Sequence, residues 1–323
     1  MIIETTPAIE QAWPALPLAE WQDTCATLHM WTQIVGKVRL ELSPLINHWW
    51  EVPFYVTARG LTTSPIPYGT GVFEVYFDFI DHNLNLQTSW GEVAMIRLVP
   101  RPVVEFYHEF MDTLHSLGID VKIWPMPVEV PNPIRFDQDN LHASYDSDYA
   151  HRFWRILVTV DTILKEFRAR FMGKDSPVHF FWGSFDLAVS RFSGRPAPER
   201  PGADPITREA YSHEVSSAGF WPGGGDIKGA AFYSYTIPEP PGFRDQSIRP
   251  EKAFYHPQLH EFLLMYDDVR TSETPKEDLL AFLQTTYEAG ATLGKWDRGA
   301  LERDAKAVVT PGYAGHTLLR EPS

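Results

Sequence analysis

The chain has 323 residues, 44% hydrophobic and 14% aromatic, enough to bury a large core in one domain or two. Its formal net charge is −14, from 28 Lys and Arg against 42 Asp and Glu. No cluster of cations offsets that balance, which speaks against nucleic acid and anionic lipid as partners, because both need phosphate-neutralising clusters. One cysteine, Cys25, excludes an intramolecular disulfide, and no apolar run approaches the ~20 residues of a membrane span.

Pro14 and Pro17 precede a helix expected over residues 18–40, where Trp21, Thr24, Leu28, Trp31, Val35 and Val38 recur at three- and four-residue steps. Cys25 lies in this apolar stripe and reads as a packed residue without a basic neighbour to support a thiolate. Strands are expected at residues 52–58, 72–80, 84–87 and 92–99. The second is the clearest, with Phe73, Val75, Phe77 and Phe79 alternating against Glu74, Tyr76 and Asp78. Pro102 opens a second helix with Val103, Phe106, Phe110 and Leu114 on its core face and Gly118 as its terminator. A short strand over 119–124 and a Pro-rich linker or crossover over 125–133 follow.

Asp146-Ser147-Asp148 starts a long helix reaching about residue 172, with Tyr149, Phe153, Ile156, Val160, Ile163 and Phe167 as its stripe. The next stretch reads as two strands joined by a two-residue Gly183-Ser184 turn of type II′. Trp182 then faces Phe185, Phe181 faces Asp186, Phe180 faces Leu187 and His179 faces Ala188. One side of the ribbon carries Val178, Phe180, Trp182, Phe185, Leu187 and Val189, a core face. The other carries His179, Phe181, Asp186, Ala188 and Ser190, with His179 and Asp186 on a diagonal of roughly 7–8 Å. Residues 193–208 read as an exposed loop and 208–216 as helical turns leading into the glycines at 223–225. Strands at 230–237 and 261–267 precede a last helix, from Pro275 to about residue 293.

This order predicts an α+β protein with mostly antiparallel sheet and long flanking helices. The halves, residues 1–135 and 136–323, repeat an α-β-β-β-α-type unit and pack as one compact body. Trp50 and Trp182, like Arg59 and Arg191, share one spacing along the chain.

His179 and Asp186 are the leading catalytic candidates, a general base or ligand and the acid that orients it. Alternation puts Arg191 on the opposite side from Asp186. His48 and Arg59 hold matching places in the first half, with Glu74 and Asp78 on a polar strand face nearby. These four, with Arg191, His213 and Glu214, are candidate ligand-binding residues. His179, Asp186 and either His213 or Glu214 would form a two-histidine, one-carboxylate metal set, but no His-x-x-x-His, His-x-His or Cys-x-x-Cys spacing accompanies them, and the sequence leaves metal and cofactor open. Pro222-Gly-Gly-Gly-Asp226 lacks the order of a phosphate loop, and there is no Gly-x-Ser-x-Gly elbow.

Trp13-Pro-Ala-Leu-Pro, Leu28-His-Met-Trp-Thr-Gln-Ile-Val-Gly-Lys37, Asn47-His-Trp-Trp50, Thr57-Ala-Arg-Gly-Leu-Thr-Thr-Ser-Pro65 and the segment from Val178 to Asp186 resemble a bacterial domain-of-unknown-function family. The resemblance covers most of the chain and implies a soluble bacterial protein without supplying a reaction. The expectation is a cytoplasmic protein whose aromatic-lined cleft holds a small-molecule, enzymatic site, with no nucleic-acid or membrane partner. The alternative is a non-catalytic binding or scaffold protein whose polar clusters are structural. Substrate and oligomeric state are not set by the sequence.

Overall fold

The computed structural model describes residues 12–303. Residues 1–11 and 304–323 lie outside them.

Helix α1 (Leu18–Leu42) buries Trp21, Leu28, Trp31, Val35 and Val38, the stripe its spacing predicts. The first sheet follows: β1 (Tyr55–Val56), β2 (Gly60–Thr62), β3 (Ile66–Tyr68), β4 (Gly71–Asp78), β5 (Asn83–Thr88) and β6 (Val93–Arg97), in the order β1-β2-β4-β5-β6 with β3 also paired to β4. In β4 Phe73, Val75 and Phe77 are buried while Glu74 and Tyr76 are half-buried on the other face. Helix α2 (Val103–Ser116) inserts Phe106, Phe110 and Leu114, and Trp31 of α1 stacks on Phe106 at 4.8 Å. The expected strand at 119–124 does not form. Ile119 and Ile123 are buried there, but the segment finds no partner strand.

Helix α3 (Ser147–Ala169) is capped by Asp146, whose carboxylate accepts from the amides of Asp148 and Tyr149. The second sheet comprises β7 (His179–Phe181), β8 (Asp186–Pro196), β9 (His213–Trp221), β10 (Ala231–Ile237), β11 (Phe254–His256) and β12 (Glu261–Met265), ordered β11-β12-β10-β9-β8-β7. Short helices α4 (Pro205–Ala210) and α5 (Tyr266–Arg270) flank it. The long α6 (Pro275–Leu293) starts on Pro275, and α7 (Arg298–Leu301) follows. All strand pairs are antiparallel.

The hairpin register is the predicted one: His179 opposite Ala188, Phe180 opposite Leu187, Phe181 opposite Asp186. Its turn differs. Residues 182–185 form a four-residue loop in which the Phe185 amide donates to the Phe181 carbonyl at 2.8 Å. Phe185, at φ +60°, takes the left-handed position, so the turn is not type II′ on Gly183. The buried Phe185 ring stacks on Phe153 of α3 at 5.3 Å, contact that offsets the backbone strain of a bulky residue there.

A second difference concerns residues 213–221, expected to begin helically and forming instead the central strand β9. Val215, Ser216, Ser217, Ala218, Gly219 and Phe220 are buried together, so neither face of the strand shows an alternating pattern. Strand β8 likewise runs on to Pro196, into the stretch that reads as loop.

The inner face of the second sheet, with Phe180, Leu187, Val189, Phe220, Phe232 and Leu264, packs under α3 and α6. The two sheets meet edge to edge. Phe54, just before β1, and Phe180 of β7 exchange backbone hydrogen bonds of 2.8 and 2.9 Å. Each half runs helix, short hairpin, antiparallel strands and closing helix, consistent with a duplicated β-rich unit. The shared spacing of the Trp and Arg pairs does not mark equivalent positions. Arg59 lies in the turn between β1 and β2, whereas Arg191 sits inside β8.

Candidate functional site

The outer face of the second sheet carries the polar residues, and strand alternation sets which ones. Pairing of β8, β9 and β10 brings Asp186, Ala188, Ser190 and Phe192 onto the same surface as Gly219, Ser217, Val215 and His213, and then Tyr233 and Tyr235. His179 shares this face from β7. It is therefore on the same side as Asp186, as the register requires, but the two residues have separate environments.

His179 is 1% exposed, with Trp50, Tyr55 and Phe181 around it at ring separations of 5.8, 5.6 and 5.5 Å. Neither ring nitrogen has a hydrogen-bond partner. Burial, together with the charges of Arg39 and Arg168, pushes its pKa down to about 3, so the imidazole is neutral at pH 7.

Asp186 is buried and accepts from the hydroxyls of Ser184 and Tyr233. Burial raises its pKa, and those two hydrogen bonds pull in the opposite direction. Gly219 makes the Tyr233 contact sterically possible. A Cβ there would collide with the Leu187 carbonyl oxygen and lie 2.6 Å from Tyr233 Oη. Tyr233 stacks on Tyr235 at 6.0 Å, and Tyr235 Oη lies 3.1 Å from Tyr211 Oη. Two further carboxyls belong to this group. Burial, then the nearby Asp186, raises Glu129 and lifts Glu261 to about 7.

Glu129 is placed by the Pro-rich segment, which is not a free linker. Gln33 of α1 donates to the Val128 carbonyl and accepts from the Val128 amide, both at 2.8 Å. His29, one turn earlier, contacts the Gly183 carbonyl at 2.9 Å, and burial pushes its pKa down to about 4.

A cleft of about 540 Å³ opens beside the phenols, lined by Arg200, Tyr211, Tyr235, Thr236, Ile237, Glu239, Leu259, His260 and Glu261. Arg200 lies over the Tyr211 ring at 4.9 Å. Neither His179 nor Asp186 lines the cleft; Asp186 reaches it through Tyr233 and its stacked neighbour Tyr235.

Two histidines of the sequence reading, His48 and His213, meet at the other end of the face, and Trp50 separates them from His179. The His48 ring is 5.7 Å from His213 and 5.3 Å from Trp50, and Trp50 in turn contacts His179. His48 Nδ1 faces the carbonyls of Ala210 and Glu209 at 3.1 and 3.2 Å, and its Nε2 lies 2.7 Å from Lys174 Nζ.

The remaining candidates are engaged elsewhere. Arg59 pairs with Asp78 and Asp81, each at 2.6 Å. Asp78 also accepts from the amides of Ile80 and Asp81. Burial works against its ionisation, but Arg59 and those amides keep it below the usual carboxylate range. Glu74 is hydrogen-bonded by Thr62 and Gln87. Arg191 points to the inner face, as alternation predicts, lying 3.4 Å from the Phe167 ring centre and 4.4 Å from that of Tyr287. Burial pushes it down to about 9. Glu214 faces away from His213 and is held by Ser193 and Arg195.

The metal set of His179, Asp186 and His213 or Glu214 therefore does not assemble, because adjacent residues of β9 face opposite ways and His213 keeps company with His48. Among the described residues, no three His, Cys, Asp or Glu side chains converge as metal ligands. Sequence reasoning missed Tyr211, Tyr233, Tyr235, Glu129, Glu261 and Lys174. The alternation in Phe232-Tyr-Ser-Tyr235 puts two phenols on one face. Linking them to Asp186 requires β9 as the strand between.

These features define an α+β protein with buried aromatic and polar clusters on one sheet face. The chain belongs to the family of unknown function DUF5996, which matches residues 13–303. No curated protein and no solved structure matches it. Among the described residues, no helix is long and apolar enough to cross a membrane.

Proposed function

We propose that the cleft beside Tyr211 and Tyr235 is a small-molecule site with acid–base character. The observation that carries this reading is Glu261, a cleft-lining carboxyl pushed up to about 7, where it can both give and accept a proton at neutral pH. Tyr211 and Tyr235 offer phenolic donors, and Arg200 supplies a cation for an anionic group of the ligand. Asp186, held toward its neutral form, anchors Tyr233 behind Tyr235 and so positions the wall of the cleft. His179 keeps a free lone pair and a free N–H at the far end of the same face.

A second reading, a non-catalytic binding or scaffold protein, is favoured by the full engagement of Asp78, Glu74 and Glu214 by their neighbours. A fragment titration followed by NMR with ¹³C-labelled tyrosine separates a ligand site in the cleft from clusters that are purely structural. The proposed site predicts ligand-dependent shifts concentrated on Tyr211 and Tyr235, with Glu261→Gln changing the pH dependence of binding near neutrality. Ligands that bind with no shift at either phenol would defeat it.

A further inference from the structure

We propose that Lys174 is an activated amine that forms an imine with a small, flat aldehyde or ketone, with His48 as its proton acceptor. This site is distinct from the cleft. It is built on the segment before β7 and on the turn that precedes β1.

The constellation has the three parts a nucleophilic amine needs: an attacking group, a base in hydrogen-bond reach, and something that orients the base. Lys174 Nζ lies 2.7 Å from His48 Nε2. The other ring nitrogen faces two carbonyl oxygens, of Ala210 at 3.1 Å and Glu209 at 3.2 Å, so Nδ1 carries the hydrogen and Nε2 presents its lone pair to the amine. His48 is buried and holds φ +61°, a left-handed conformation kept in place by the hydrogen bond that its backbone N–H donates to the Glu209 carboxylate at 3.1 Å. A backbone so constrained fixes where Nε2 points.

The amine itself is accessible yet flanked by aromatic faces, with Trp50 at 5.2 Å and Phe192 at 5.1 Å. Its chain neighbour Asp175 is committed to Arg168 at 2.9 Å, and among the described residues Lys174 has no ion-pair partner. Burial lowers the pKa of Lys174 against the opposing pull of the nearby Glu209 carboxylate, and burial, then the lysine's charge and that of His213, lower that of His48. The two π faces favour the ammonium form but cannot take its proton, whereas the imidazole can. Trp50, half-buried beside the amine, offers the face on which a planar carbonyl compound would rest.

The chemistry balances without an oxidant or reductant. The ammonium gives a proton to His48 Nε2, and the freed nitrogen pair attacks the carbonyl carbon. The C=O pair moves to oxygen, which takes a proton back from the imidazolium. The carbinolamine nitrogen, still N⁺H₂, passes a second proton through His48 to the hydroxyl; the nitrogen pair so freed closes the C=N bond as water leaves, and the third N–H proton stays on the iminium or passes to solvent.

The test is incubation of the full chain with benzaldehyde and sodium cyanoborohydride, which reduces the imine to a stable secondary amine, followed by peptide mass spectrometry. At neutral pH, Lys174 is expected to be labelled about tenfold or more faster than any other lysine, and His48→Gln to remove most of that advantage. Labelling of Lys174 at the pace of Lys228 or Lys252 overturns the proposal, as does an unchanged rate in a folded His48→Gln protein. Should that variant fail to fold, wild-type labelling from about pH 6 to 10 decides: the Lys174 rate levels off before those of the other lysines, and a parallel rise overturns the assignment.

Discussion

His179 is the residue whose chemistry departs furthest from expectation. Its place opposite Ala188 and its side of the sheet follow from the residues around the turn. Its isolation does not, because Trp50 and Tyr55 come from a segment more than a hundred residues away. The neutral imidazole has a measurable consequence. Its folded pKa of about 3 lies below the ordinary 6.5, so between those values the unfolded chain binds the extra proton. The contribution of His179 is complete above about pH 6.5 and is lost as the pH falls toward 3. Replacement by leucine, His179→Leu, should flatten the acid side of the stability profile by about 1.4 kcal/mol per pH unit between about pH 6 and 4. Urea unfolding at several pH values checks this. Parallel profiles for the two proteins would mean that the imidazole is hydrated or charged in the folded state.

At the scale of elements, the helices were legible because their stripes are continuous and their ends carry Pro102, Asp146 and Pro275. The hairpin register was legible because one ribbon face is wholly apolar. Strand β9 was not, since Val215 to Phe220 is buried on both faces and its small residues mark close approach rather than polarity. The tyrosine group was hidden for the same reason, its members adjoining only once β9 is in place.

Close approach also governs how α1 meets the hairpin. Gly36 sits in mid-helix, where it is intrinsically unfavourable, and a Cβ there would run into the Trp182 indole. That indole cannot easily yield, because its Nε1 donates to the Val52 carbonyl at 2.8 Å. Gly36→Ala gains about 1 kcal/mol of helix propensity but overpacks this contact by about 1–3 kcal/mol, so a net loss of up to about 2 kcal/mol is expected. Because the contact joins α1 to the second sheet, calorimetry should show one transition shifted downward. Two separated transitions, or a stabilised variant, would show that the helix and the hairpin are not interlocked.

Across the whole molecule, the two β-rich halves meet through the Phe54–Phe180 bridge, the Gly36–Trp182 contact and the His29 contact with the Gly183 carbonyl. We propose a division near residue 135, with the two units folding as one body. The single calorimetric transition expected above is its test. In this arrangement the first half provides much of the cover for the polar face of the second sheet. Trp50, His48 and Tyr55 close one end, and Glu129 stands over the turn. Where that cover stops, the cleft opens between Tyr235, Glu261 and Arg200. Most direct is a crystal structure of the full chain soaked with a library of small polar fragments. Density for a fragment in contact with Tyr235 and Glu261 is the predicted result. Fragments seated only elsewhere on the molecule, with the cleft holding nothing but solvent, would contradict it.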